Sequence, residues 1–244
     1  MNRSLFVRIP APTLLITFLA TSLFSGCSWM TGCEEGMGPV VEKNIVLDAF
    51  TGISIDGSLD AILHTEGTAG VRIEGQANLI ELITTEVEEG LLVVGAKKCY
   101  STSEKLIVHV TQPSMALMRV KGSGSVSCEG TLHASDLSLE VEGSGDIKLD
   151  IATVGLNTLV EGSGDITVTG ECSTLKATVT GSGNVDAYEL RASDAEAEVT
   201  GSGDIHVNVL NNLNAEVTGS GDIKFRGDPI VTKEITGSGA VTKQ

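Results

Sequence analysis

The sequence predicts an all-β fold, a single-stranded parallel β-helix with about 18–21 residues per coil, and three observations carry that reading. The tetrapeptide Gly-Ser-Gly-(Asp/Asn/Ser/Ala) begins at Gly122, Gly143, Gly162, Gly181, Gly201, Gly219 and Gly237, at spacings of 21, 19, 19, 20, 18 and 18 residues. Repetition at such a period marks a stacked solenoid. Around each copy the same apolar columns return: Val120, Val141, Val160, Val179, Val199, Val217 and Ile235 before the turn, and Val126, Ile147, Ile166, Val185, Ile205, Ile223 and Val241 after it. Alternation at period two extends from both columns, as in Leu175-Ala177-Val179 with Thr178 and Thr180 between or beside them. That pattern separates a half-buried strand from a helix.

Residues 1–26 read as an export signal. Arg3 and Arg8 precede an apolar run from Thr13 to Phe24, and Ser25-Gly26 supplies small residues for cleavage, the layout of a secretory leader. The apolar run is too short to span a bilayer. Leu23-Phe24-Ser25-Gly26-Cys27 resembles the lipobox of bacterial lipoproteins, which implies acylation of Cys27 and anchoring by two or three chains. Ser28 behind the cysteine, where inner-membrane retention uses Asp, implies the outer membrane. Residues 27–43 are expected to be a lipidated N-terminus and tether.

Residues 44–244 are expected to form one solenoid domain, with irregular first coils and a cap over 44–113 and regular repeats over 114–244. In the first part alternation is weaker, but Gly52–Asp56, Gly70–Glu74, Gly90–Val94 and Lys105–Val110 read as strands. Gly57-Ser58-Leu59-Asp60 reads as a degenerate corner, and Asn78–Glu88 as a short helical turn. In the repeats, a bend recurring in register on every coil needs the close backbone approach that glycine allows. Aromatic residues make up 3% of the chain, so the core must be built from small aliphatic side chains.

The formal charge of −16 becomes −18 once residues 1–26 and their two arginines are removed. That excludes a basic nucleic-acid footprint and any attraction to anionic lipid, leaving the lipid on Cys27 as the membrane contact. Of the remaining cysteines, Cys128 falls in an inward column, and the pairing among Cys33, Cys99, Cys128 and Cys172 stays open; none has a metal-finger spacing.

The order of strand block Phe50–Ile55, segment Gly90–Val94, boundary Val110–Pro113 and serial Gly-Ser-Gly-Asp repeats resembles the putative auto-transporter adhesin head GIN domain family, over roughly residues 43–244. The resemblance implies a right-handed single-stranded β-helix on exported or lipid-anchored bacterial proteins. It supplies no binding residues.

The column after Gly-Ser-Gly carries Asp146, Asp165, Asn184, Asp204 and Asp222, between Ser125 and Ala240. Stacked carboxylates repel unless bridged. With one such residue per coil the ligand set is half that of a calcium-binding β-roll, so a structural role is expected, each side chain accepting from backbone N–H groups of its own turn. No cofactor or metal is expected. His64, His109, His133 and His206 are scattered, with His206 pointing outward, and short uniform coils leave no walls for the cleft of a polysaccharide lyase. The expectation is a non-catalytic, lipid-anchored envelope interaction module of adhesive character, with a protein or glycan ligand, and with a homo-oligomer compatible. The alternative is a carbohydrate-binding or carbohydrate-active β-helix, against which the scarcity of aromatic stacking platforms weighs.

Overall fold

The structure, a computed structural model, describes residues 32–244. The leader and Cys27 lie outside them. The first strands in chain order are β1 (Glu34–Glu35), β2 (Val40–Ile45), β3 (Gly52–Gly57), β4 (Asp60–His64) and β5 (Gly70–Gln76). A single helical turn, α1 (Ala77–Ile80), leads to β6 (Ile83–Glu88), β7 (Leu91–Ala96), β8 (Tyr100–Ser101) and β9 (Ile107–Thr111). The regular part comprises β10 (Leu117–Gly122), β11 (Ser125–Gly143), β12 (Asp146–Gly162), β13 (Asp165–Gly181), β14 (Asn184–Gly201), β15 (Ile205–Gly219), β16 (Asp222–Arg226), β17 (Ile230–Gly237) and β18 (Ala240–Lys243).

The expected β-solenoid is present. Strands β10 to β18 pair in parallel with the next coil, and the predicted columns are in register: Val120 on Val141, Val141 on Val160, and onward to Val217 on Ile235. Their side chains are fully buried from Val120 to Val217, whereas Ile235 is exposed because it belongs to the last described coil. Coils of unequal length stay in register because bulges absorb the extra residues, for example between Ser127 and Thr131 and between Ala187 and Arg191. The first of these takes Cys128 out of line with Leu149. It is therefore half-buried, with its thiol on the Gly130 carbonyl, rather than the core residue that alternation suggested.

Gly57 is the corner beneath the repeats, directly under Gly122. Below it the chain departs from the parallel pattern: β2 pairs β5, β5 pairs β9 and β6 pairs β7, all antiparallel, which closes the N-terminal end. The helical turn expected over 78–88 is limited to four residues, because Ile83 and Val87 enter β6 instead. The tether expected over 27–43 is also shorter. Cys33 is disulfide-bonded to Cys99, β1 pairs β8 beside that bond, and β2 is stitched along β5, so the chain is docked from Cys33 onward.

Both glycines of each Gly-Ser-Gly corner are required, for different reasons. The first, such as Gly162, has φ +131 and lies against the carbonyl of Gly143 in the coil below. The second, such as Gly164, has no positive φ, but a Cβ there would stand 2.0 Å from the Gly145 oxygen. The coils close upon each other at this edge with no room for a side chain.

Candidate functional site

A groove runs up one side of the solenoid across successive coils. Its floor follows Leu137, Leu156, Leu175 and Ala195, whose side chains turn into the core, and its volume is about 610 Å³. One rail is Asp136, Gly155, Thr174, Asp194 and Asn212; the other is Ser138, Asn157, Lys176 and Glu196. Both rails face out because each flanks an inward residue in a period-two strand. Ala116 continues the groove one coil lower. At the ~4.8 Å spacing of paired strands, the groove is about 24 Å long.

The rails offer donors and acceptors in a regular ladder. Asn212 Nδ2 donates to Asp194 at 2.6 Å, Asn157 Nδ2 to Ser138 at 3.3 Å, and Lys176 Nζ to Glu196 at 3.2 Å. These bonds are between half-exposed or exposed groups, and such surface pairs contribute little to stability. They hold the polar groups in place along an apolar strip, the composition of a recognition surface.

The acidic column is a second ladder, and its hydrogen bonds run differently from the expectation. Each Oδ1 accepts from the backbone N–H of the equivalent residue one coil on, rather than from its own turn. Asp165 N–H donates to Asp146 (3.2 Å), Asn184 N–H to Asp165 (3.0 Å), Asp204 N–H to Asn184 (3.0 Å), Asp222 N–H to Asp204 (2.9 Å) and Ala240 N–H to Asp222 (3.0 Å). Asp60 makes the same bond one coil below the repeats, accepting from Ser125 N–H (3.0 Å), and the series is interrupted at Ser125, where Asp146 N–H donates to the Gly124 carbonyl instead. Repulsion is relieved by Asn184, whose Nδ2 also donates to Asp165 at 2.8 Å, and by Lys224, 3.2 Å from Asp204 and 3.6 Å from Asp222. The hydrogen bond that Lys224 donates to the Asp204 carboxylate raises the Lys224 pKa above its ordinary value. Among the described residues, no cluster of three or more His, Cys, Asp or Glu side chains is arranged to hold a metal ion.

Two clusters were not legible beforehand. His64 and His109, expected to be scattered, meet at the junction of cap and coils: Glu129 to His64 Nδ1 is 3.1 Å, His64 Nε2 to His109 Nδ1 3.1 Å, and His109 Nε2 to Glu74 3.0 Å. The chain of four side chains ties β4, β5, β9 and β11 together, each ring nitrogen occupied by a neighbour. His206 does face outward, where its ring stacks on Tyr188 at 4.7 Å with the Arg226 guanidinium 4.1 Å over the tyrosine. His133 lines an opening near His64 and joins neither cluster.

A β-solenoid with a long open furrow between polar rails is a repeat fold of the kind that presents an extended surface along its coils. The chain belongs to the family described as putative auto-transporter adhesin, head GIN domain, which matches residues 49–229. Its fold is similar to that of a putative adhesin from Bacteroides fragilis, with 25% identity and a TM-score of 0.79 over 86% of this chain and 99% of that one. A putative adhesin from Parabacteroides distasonis shares 23% identity and a TM-score of 0.71, covering 87% of this chain and 100% of that one. A putative lipid binding protein from the same organism shares 23% identity and a TM-score of 0.70 over the same shares. A search of curated protein sequences finds no match.

Proposed function

We propose that this protein is a non-catalytic, lipid-anchored adhesive module of the bacterial envelope, and that it binds an extended protein or glycan chain along the Leu137–Leu156–Leu175 groove. The groove carries the reading: it is open, about 610 Å³, floored with apolar groups, and presents polar side chains from each of five successive coils, paired across the groove on three of them, to a chain lying across the rungs. The Glu–His–His–Glu cluster, the nearest approach to acid–base machinery, has its ring nitrogens engaged within the cluster. That arrangement favours a structural role over catalysis.

The anchor is proposed at Cys27, on the lipobox resemblance and two supporting features. The Cys33–Cys99 bond suits an oxidising compartment. Only Ser28 to Gly32 separate Cys27 from Cys33, so at most ~3.5 Å per residue the docked chain begins within about 20 Å of the lipid. Among the described residues no helix is long and apolar enough to cross a membrane. The outer membrane is the proposed location, following Ser28.

The test is a glycan and matrix-protein array probed with wild type, Gly155→Arg and Val154→Arg. At Gly155 a Cβ meets only the movable Asp136 carboxylate, so arginine is accommodated and its side chain obstructs the groove. Val154, exposed, lines a different concavity. The proposal expects array binding that Gly155→Arg abolishes and Val154→Arg retains. Equal loss in both, or retention in both, would refute the groove assignment. For the anchor, fatty-acid labelling that persists in Cys27→Ala would refute lipidation there.

A further inference from the structure

The side-chain series Glu129, His64, His109, Glu74 has a proton count that its geometry fixes. The two ring centres are 5.4 Å apart and the ring planes 18° from parallel, while His64 Nε2 and His109 Nδ1 are 3.1 Å apart. That contact plus one ring radius on either side already makes up the 5.4 Å, so both centres and both nitrogens lie on one line and the rings meet edge to edge. An imidazole nitrogen aims its N–H, or its lone pair, outward along that line. The contact is therefore either one N–H facing one lone pair, which is a hydrogen bond, or two like groups head on.

The outer nitrogens decide between these. His64 Nδ1 faces Glu129 at 3.1 Å and His109 Nε2 faces Glu74 at 3.0 Å, and an ionised carboxylate only accepts. Each outer nitrogen thus carries a proton, and the inner contact needs a third. Two neutral imidazoles bring only two. With two protons, either lone pairs meet between the rings or a carboxylate faces a lone pair; with four, two N–H groups collide. A metal ion does not take the place of the third proton in this arrangement, since half of 3.1 Å is well short of the ~2.0–2.1 Å of a zinc–nitrogen bond.

We propose that His64 and His109 form a one-proton binding site that makes the grip of the antiparallel cap on the parallel coils depend on pH. The surroundings suit a single positive charge. His109, its side chain 11% exposed, lies beside Ile62 of β4 and Arg72 of β5. Arg72 is paired with Glu42 of β2, which leaves Glu74 of β5 to His109. His64 lies beside Glu129 of β11, and Glu66 and His133 line the opening there. Asp60, farther along β4, is engaged by the Ser125 hydroxyl. An ordinary imidazole takes up its proton near pH 6.5, so well above that pH the unfolded chain holds no extra proton on these two rings while the folded cluster holds one. The cluster's contribution to stability is then lost as pH rises and the shared proton leaves. Well below that pH the unfolded chain holds two extra protons against one, and the contribution is lost again. Both steps belong to the pair rather than to either ring.

The test is nitrogen-15 NMR of the imidazoles in the purified protein at about pH 7.5, together with urea midpoints of wild type and His64→Gln from about pH 6.5 to about 8.5. An amide at position 64 can donate to His109 Nδ1 while His109 Nε2–H still faces Glu74, so the variant satisfies the inner contact without an extra proton. The spectrum should show three protons on the four nitrogens of the two rings. Across the pH range the wild-type midpoint should fall, and exchange of β5 and β9 amides, corrected for its intrinsic pH dependence, should quicken by roughly tenfold, the worth of about one hydrogen bond. In His64→Gln both should stay level. Two neutral rings in the wild-type spectrum would overturn the proposal, and that spectrum decides alone should His64→Gln not fold. A wild-type profile no steeper than that of His64→Gln would overturn it too, as would saturable zinc stabilisation that His64→Gln abolishes.

Discussion

Replacing Gly164 with alanine isolates the cost of coil-to-coil contact, because φ at this residue is not in the left-handed region and the new methyl is the whole perturbation. That methyl would stand 2.0 Å from the Gly145 oxygen, 2.7 Å from Val141 Cγ1 and 3.0 Å from the Gly145 nitrogen. Ordinary carbon contacts lie near 3.5 Å, so the coils must separate by more than about 1 Å here or the backbone must bend away. Overpacking of this kind costs about 1–3 kcal/mol or more, and the strained Gly164 N–H to Gly143 bond adds about 1 kcal/mol if lost. A total of about 3 kcal/mol follows. Gly57→Ala is the control: φ there is +97 but nothing lies within 4 Å of the added Cβ, so only the left-handed penalty of about 1–2 kcal/mol applies. Ser163→Ala, exposed between the two glycines, should change stability by less than about 0.5 kcal/mol. Urea unfolding followed by far-ultraviolet circular dichroism measures all three. With a slope of about 2 kcal/mol per molar, Gly164→Ala should lower the midpoint by about 1.5 M. A Gly164→Ala midpoint no lower than that of Gly57→Ala would refute close coil contact at the second glycine.

Asp165→Asn should be nearly neutral and Asp165→Ala should cost about 1 kcal/mol, since Asn keeps an acceptor for the Asn184 N–H and Ala does not; a saturable calcium-specific rise in melting temperature, lost in Asp165→Asn, would instead identify a metal ladder. Thr158→Val should stabilise by about 1 kcal/mol, because the buried Thr158 hydroxyl has no partner and valine removes it with little change of shape; a measured loss would refute that assignment. The thiols of Cys128 and Cys172 are each pushed up to about 11, from 9.0, by burial first. The unfolded chain therefore releases these protons earlier, and stability should fall as pH rises from about 9 to about 11. Cys128→Ser with Cys172→Ala should flatten that part of the profile, as read by urea midpoints; an unchanged slope would refute the contribution.

The repeat was legible because its information is one-dimensional. Gly-Ser-Gly fixes the corner, Val179 and Ile166 fix the inward phase, and stacking in register follows from both. Even the degenerate corner at Gly57 could be read, since Asp60 keeps the ladder position. What the sequence did not disclose depends on how unlike strands cross. His64 and His109 lie 45 residues apart on neighbouring parallel strands, and Glu74 reaches them only because β5 runs antiparallel beside β9. The Cys33–Cys99 pairing needs the fold of the cap, and Cys128 leaves its column through a bulge that no local pattern announces. The groove was invisible because its rail residues are ordinary outward polar side chains, and the furrow exists only when five coils present them together. The direction of the acidic ladder, upward to the next coil instead of back to its own turn, likewise requires neighbouring coils at their true separation.

Adhesion of cells displaying the protein tests the central claim most directly. Cells carrying wild type, Gly155→Arg or Val154→Arg at equal surface amounts would be washed under flow over the strongest ligand from the array. The account predicts that Gly155→Arg cells detach as readily as cells lacking the protein while Val154→Arg cells hold like wild type. Undiminished attachment of Gly155→Arg cells would contradict adhesion through the groove.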